Sequence, residues 1–345
     1  MSMVRSAMRA LARLPLSGLS SIGLFAGLQR MQAGRVAVLC YHGVLDEPPR
    51  FGSHRYVRRD QFEAQMSYLK RNTQVMSLSE CVRRFQEGSA IVPRAVAITF
   101  DDGLGHLFDT AVPILQKYDL TATFFVVTDC IDKSEPIWTD KVAHIMEHYP
   151  FSEFAFPFRG QRLSYRLETV AMRRKALAKT LEFGKMCERT TLQAFIADME
   201  SAASSAKATQ RLYVDSGTKP FTWAQVAEMC RSGQEFGSHS RTHPIMARCS
   251  LENMHDEALH SKRAIEAATG KECSLFVYPN GERGDFNEIS GEVLSQAGYA
   301  AAFTTRFGLA STRDDIMTLP RVGISRNDTL AAFTAKLSGL WWNGL

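Results

Sequence analysis

Two adjacent carboxylates, Asp101 and Asp102, follow directly on the apolar run Ala95-Val-Ala-Ile-Thr-Phe100, and Gly103 closes the stretch. Like charges side by side raise each other's pKa, and an unpaired buried charge is expensive, so a bound cation would resolve the conflict. Farther on, His239 and His243 stand four residues apart in His239-Ser-Arg-Thr-His243-Pro244, a spacing that can set two imidazoles on one side of a turn or helix. Two histidines and a carboxylate form the ligand set of a hydrolytic zinc site with a position left for water. A third polar cluster, Phe276-Val-Tyr-Pro-Asn-Gly281, also ends an apolar run. Taken singly, Asp-Asp-Gly is commonly a turn, and a histidine pair at this spacing is commonly structural or solvated. Their joint occurrence at strand ends points to hydrolysis.

The elements that must position these groups alternate. Residues 35–42 read as a buried strand leading into a polar loop with Asp46, Pro48 and Pro49. Residues 60–71 read as a helix with Asp60 as N-cap, 95–100 as a strand, 110–118 as a helix and 122–127 as a strand. Residues 134–215 break the rhythm: they are charged and helix-like, hold no strong strand candidate, and read as a helical insertion. The alternation then resumes with a helix at 222–233, a short strand at 235–238, a helix at 251–269, a strand at 274–278, a helix at 289–298 and a strand at 300–304. Parallel crossovers of this kind imply an α/β fold, a (β/α) barrel with its chemistry at the C-terminal ends of the strands.

With these motifs in this order, the chain resembles the polysaccharide deacetylase family (carbohydrate esterase family 4, the chitooligosaccharide deacetylase homology domain). Thr99-Phe-Asp-Asp-Gly103 matches the family's first motif, and His239-Ser-Arg-Thr-His243 matches the second, His-Ser/Thr-x-x-His. Tyr41-His42-Gly43-Val44, Ala122-Thr-Phe-Phe-Val126 and Phe221-Thr-Trp are similar as well. The resemblance implies a distorted (β/α) barrel over residues 36–330, interrupted by the insertion at 134–215 and followed by a C-terminal tail at 331–345. It further implies Asp101 as general base, Asp102, His239 and His243 as ligands of a divalent metal, and the backbone N–H of Asn280, after Pro279, as an oxyanion donor. That division of labour is chemically sound, because an activated water needs one free carboxylate to take its proton. Zinc is the default for such a ligand set, with cobalt, nickel or manganese compatible.

Two departures matter. The family's third motif usually begins with arginine two residues before the proline, where this chain has Val277; Arg321, in Leu319-Pro-Arg-Val322, is the substitute candidate. The late motifs, including the Leu-x-His that supplies the general acid, are not evident after residue 282. His42 is a candidate for protonating the leaving amine, or for a structural role through its ring hydrogen bonds. The implied activity is removal of an N-acetyl group from an aminosugar in a polysaccharide, oligosaccharide or lipid-linked glycan, with release of acetate. Its rivals are an amidohydrolase acting on a small non-sugar amide, and a non-catalytic carbohydrate-binding or scaffolding protein suggested by the two departures. His106 reads as a surface histidine at a helix start, Trp138 as either a lining of the sugar cleft or simple packing, and Trp341-Trp342 as an interfacial anchor or an apolar plug.

Composition sets the outer bounds. The 345 residues are 45% apolar and 22% charged, which excludes disordered, collagen-like and disulfide-scaffold classes. The net charge of +5 belongs to residues 1–35, which carry five arginines and no lysine, aspartate or glutamate. The body is neutral, which argues against nucleic acid, whose binders spread a basic stripe over the folded domain; the partner that the resemblance implies is an N-acetylated glycan. Residues 4–14 have the pattern of a basic amphipathic helix, ended by Pro15. The 16 uncharged residues between Arg13 and Arg30 are interrupted by glycines and serines, and they fall short of the roughly 20 that span a membrane. Residues 1–30 therefore read as a peripheral contact with an anionic membrane, a signal or anchor and a solvated extension being the alternatives. Seven cysteines without a C-x-x-C pair favour a reducing compartment. The expected location is the cytoplasm or the inner face of the membrane, with export or anchoring as the alternative; the sequence leaves the oligomeric state open.

Overall fold

Runs rich in Val, Ile, Ala and Phe form seven parallel strands that close on themselves. In the computed structural model, which describes residues 34–47, 55–205 and 217–339, they are β1 (Arg35–Tyr41), β2 (Ala95–Phe100), β3 (Thr123–Val126), β4 (Glu235–Ser238), β5 (Leu275–Val277), β6 (Ala301–Phe307) and β7 (Leu319–Gly323). Each pairs in parallel with the next, and β7 returns to β1. The barrel is distorted: β4 and β5 share the single register pair Ser238 and Phe276, and the β6–β7 register shifts between Phe303 and Phe307.

Alternation along the strands sorts the side chains. Val36, Val38, Ala97, Phe125, Val277 and Phe303 gather in one inner cluster, which the helix Leu78–Glu87 joins through Leu78, Cys81, Val82 and Phe85. That helix closes the N-terminal end of the barrel, where the Leu78 N–H donates to Glu235 and Gln86 donates to the Ala300 carbonyl. Residues one step out of phase, such as Leu39, Ile98, Phe124 and Phe276, meet the surrounding helices in a second, larger cluster. Continued upward by twos, the inward set runs through Cys40, Thr99, Asp101, His239 and Arg321. Strand alternation thus delivers the polar groups to the C-terminal end of the barrel.

Three expectations need correction. The segment 134–215 is not purely helical: between the helices Trp138–His148 and Val170–Met186 lies an antiparallel hairpin, Glu153–Phe158 with Gln161–Arg166. Its turn, Arg159-Gly160, has both residues at positive φ, the backbone shape of a two-residue hairpin without the usual Asn-Gly signature. Pro157 inside the first strand further disguises it. Phe154, Phe156, Phe195 and Met199 build a separate core for this insertion, which continues into the helix Arg189–Ser205. Second, part of the expected tail is a helix, Leu330–Leu337. It is capped by Thr329, packs Phe333 against Tyr68, and pairs Lys336 with Asp328 at 2.7 Å. Third, Arg58 rather than Asp60 takes the N-cap position of the helix Arg59–Asn72, leaving Asp60 in its first turn. Residues 1–33, and with them the leader readings, lie outside the described residues, as do Trp341 and Trp342. No helix among the described residues is long and apolar enough to cross a membrane.

Candidate active site

Successive residues of a strand face opposite ways, so two neighbouring aspartates reach one site only if the chain turns between them. Asp102 sits at φ +69° and Gly103 at +66°, and this left-handed step swings the second carboxylate round to join the first. Asp101 and Asp102 are both nearly inaccessible to solvent, yet their partners differ. Arg321, itself fully buried on β7, donates Nη1 to Asp101 Oδ1 at 2.8 Å and Nη2 to Oδ2 at 2.6 Å. Nη1 also donates to Thr99 Oγ1 and Nε to the Thr304 carbonyl, so the guanidinium is fixed from β2 and β6. Burial alone would raise the Asp101 carboxyl, but the Arg321 charge and hydrogen bonds, with His239 and His42 adding to them, together outweigh it and hold the group below the usual aspartate value.

Asp102 faces the histidines. Its Oδ1 lies 3.5 Å from His239 Nε2 and 3.7 Å from His243 Nε2, and its Oδ2 accepts from Arg55 Nη1 at 2.7 Å. Burial pushes Asp102 up, and the His239 contact with the nearby positive groups brings it well below the ordinary range. His239 donates Nδ1–H to the Val277 carbonyl at 2.9 Å, which leaves the Nε2 lone pair facing Asp102. Burial depresses the His239 pKa, but the Asp102 contact, the charges of both aspartates and the Val277 carbonyl together outweigh it and raise it. Burial pushes His243 down to about 3, with His239 adding to the effect, so its ring is neutral.

The loop carrying the histidines is strained and tied down. Ser240 and His243 have φ of +65° and +62°, conformations that cost about 1–3 kcal/mol and persist only where the surroundings impose them. Buried Glu257 accepts the Arg241 and Thr242 N–H groups at 2.8 Å each, and Trp138 donates its indole N–H to the His243 carbonyl at 2.9 Å. Trp138 is therefore a clamp on the loop and not a lining of the cleft. Arg189, 2.6 Å from Asp256 and 3.0 Å from Glu257, ties the insertion to the same support.

Asp102, His239 and His243 fit a divalent cation. Their donor atoms lie within 4.8 Å of one another, and the two imidazole-to-carboxylate distances are close to the ~3.4 Å that separates tetrahedral ligands each about 2.1 Å from a metal. The buried His243 Nδ1 has no partner among the described residues, and its Nε2 is beyond hydrogen-bond reach of Asp102, so this ring is oriented without a hydrogen bond of its own. The other triplet of potential ligands, Cys40, His42 and Asp101, fits poorly. Both Asp101 oxygens already serve Arg321, and burial pushes the Cys40 thiol far up.

The remaining expected residues line the same cavity of 730 Å³. His42 is half-buried, a ring nitrogen within 4.8 Å of an Asp101 oxygen, and burial lowers its pKa. Asn280 adopts φ +62° after Pro279; Lys185 holds its side-chain oxygen at 2.5 Å, and its backbone N–H has no hydrogen bond among the described residues. His106 does not join them. It sits half-buried at the N-cap of Leu107–Thr110, Nδ1 on the Gly217 carbonyl and Nε2 accepting from the Val44 N–H. The sequence reading missed Arg55 and Asp140. Arg55 bridges Asp102 and the buried Asp140 of the insertion helix, and the second Asp140 oxygen has no partner among the described residues. No spacing rule links residues 55, 102 and 140; the only sequence signal was Ile137-Trp-Thr-Asp140 at the mouth of the insertion.

Comparison with known proteins identifies the family. A family model described as polysaccharide deacetylase matches residues 90–152 and 187–302. Over 312 residues the chain is 23% identical to the poly-beta-1,6-N-acetyl-D-glucosamine N-deacetylase of Escherichia coli (strain K12), a match that covers 88% of this chain and 38% of that protein. The chain spans about two fifths of the length of the first curated relatives it matches. Among solved structures, Streptococcus pyogenes deacetylase PplD in complex with acetate aligns with a TM-score of 0.60 at 18% identity, covering 89% of this chain and 99% of that one. IcaB from Ammonifex degensii aligns with a TM-score of 0.56 at 18% identity, covering 89% and 98%. These structures share the barrel fold.

Proposed function

The chain belongs to the polysaccharide deacetylase family, and on that premise we propose that it hydrolyses the N-acetyl group of an aminosugar in a glycan, giving acetate and a free amine. The observation that carries this reading is the division between adjacent carboxylates: Asp101 is locked by Arg321 while Asp102 faces two imidazoles across the same cavity. The name of the Escherichia coli relative supports an N-acetylhexosamine polymer or oligomer as the substrate class. Arg321 also weakens the case for a non-catalytic protein, since a cation does hold the candidate base, supplied by β7 in place of Val277.

Asp102, His239 and His243 would hold a divalent cation, zinc by default, which supplies Lewis acidity toward an acyl oxygen and acidifies a water. Asp101 is kept ionised by Arg321; its Oδ2 accepts from both Arg321 and the Cys40 thiol, so Oδ1 is the oxygen that would take a proton from an attacking water. Asn280 offers its unpaired N–H to the oxygen on which negative charge develops. His42 is the candidate for passing a proton to the leaving nitrogen, and Arg55 and Asp140 orient Asp102 through its second oxygen. Metal analysis of the purified protein tests the ligand set: one cation per chain is expected, and His239→Ala and His243→Ala should each bring both bound metal and acetate release close to zero. Full metal content in both variants would overturn it. The leader, residues 1–30, is proposed as a contact with anionic membrane on the cytoplasmic face.

A further inference from the structure

The cavity has a second wall that the chemistry above does not use. It is one face of the helix Val170–Met186, on which Arg174, Leu177, Ala178, Leu181 and Lys185 recur at steps of three and four residues and line the cavity together. Ile137 and Ala143 extend the apolar surface from the neighbouring helix and its entry. The helix cannot roll this face away. Its small-residue stripe, Ala176, Thr180 and Gly184, is buried, and a Cβ on Gly184 would stand 2.6 Å from the Trp138 ring.

A wall that receives a chain of sugars offers hydroxyl partners or aromatic faces, whereas this one offers branched aliphatic side chains with a cation at each end. The helix as a whole carries Arg173, Arg174, Lys175, Lys179 and Lys185 against the single acid Glu182. It falls in residues 153–186, the stretch between the two segments that the family model matches, so the general family pattern does not define this wall. Because wall and metal-ligand cluster share one cavity, the occupant of the wall is part of the molecule being hydrolysed.

We infer that the substrate is amphiphilic, an N-acetylated aminosugar joined through an anionic phosphate to a hydrocarbon chain. The acetamido group meets Asp101 and Asp102, the chain lies along Leu177 and Leu181, and the phosphate meets the basic ends of the helix face. This rests on the deacetylase reading and narrows its substrate.

Three substrates test it on the zinc-loaded protein: an N-acetylglucosamine oligomer, N-acetylglucosamine 1-phosphate, and the decyl phosphodiester of N-acetylglucosamine. Each methylene moved from water onto an apolar wall is worth about fourfold in binding, so kcat/KM for the decyl ester should exceed the other two at least about tenfold. Leu181→Asp and, separately, Leu177→Gln should bring that ratio towards one, and Arg174→Gln should lower preference for the decyl phosphodiester over a neutral decyl glycoside. Calorimetric binding of the decyl ester to metal-free protein, weakened at least about fivefold by Leu181→Asp, gives a readout without turnover. Equal kcat/KM on oligomer and decyl ester, or a ratio unmoved by both leucine variants, overturns the inference and leaves the deacetylase reading standing. Acetate release from none of the three overturns both.

Discussion

Arg321 gives both terminal nitrogens to one carboxylate while fully buried, so its removal leaves Asp101 an uncompensated interior charge. Arg321→Ala is expected to lower stability by about 3–5 kcal/mol in urea denaturation; a loss below about 1 kcal/mol would mean that the pair is not what holds Asp101. His106 makes a separate prediction. Burial pushes its pKa down to about 4 from an ordinary 6.5, outweighing the Gly217 hydrogen bond and the Asp109 charge, and protonating Nε2 would also break the bond from Val44. The unfolded chain therefore takes up the proton first, so this contribution to stability is complete above pH 6.5 and is lost as pH falls from 6.5 towards 4. His106→Gln should be less acid-sensitive than the parent over that window, by about 3 kcal/mol; parallel stability curves would refute the assignment. The seven residues singled out in the sequence line one cavity, because motif residues at strand ends advertise themselves by type and spacing. Arg55 and Asp140 do not, since their meaning comes only from meeting Asp102 in space.

At the scale of elements, continuous apolar runs made most barrel strands legible, and the ends of β4 and of the helix Leu251–Thr269 fall where the pattern placed them. The pattern failed where proline intrudes. Pro157 hid a hairpin strand, and Pro320 hid β7, so that Arg321 was recognisable as a candidate without the strand that presents it. The insertion also reaches into the site through Asp140, the second partner of Arg55. Asp140→Asn should weaken cation binding about 10- to 100-fold, as loss of a group that orients a ligand commonly does, with the circular dichroism spectrum unchanged. Unaltered affinity in a titration calorimeter would separate the insertion from the ligand set.

For the whole molecule, the closing contact between β7 and β1 is the feature least visible in one dimension, and it brings Arg321 beside Asp101 across 220 residues of chain. The cavity is likewise a joint product, with barrel ends for a floor and insertion helices for a wall. The net charge, once located in residues 1–35, says nothing about that cavity and bears only on the proposed membrane contact. Removing residues 1–33 should reduce co-sedimentation with anionic vesicles and leave turnover of a soluble substrate unchanged; undiminished co-sedimentation would dismiss the leader as a membrane contact. The central claim is that a cation held by Asp102, His239 and His243 works beside a separate base, Asp101. The most direct test is acetate release by zinc-loaded Asp101→Asn and parent protein on N-acetylated glucosamine saccharides, with bound metal measured in the same samples. The account predicts full metal in both and a rate in the variant lower by about 10²–10⁴. A variant that keeps its metal and releases acetate at the parental rate would contradict it.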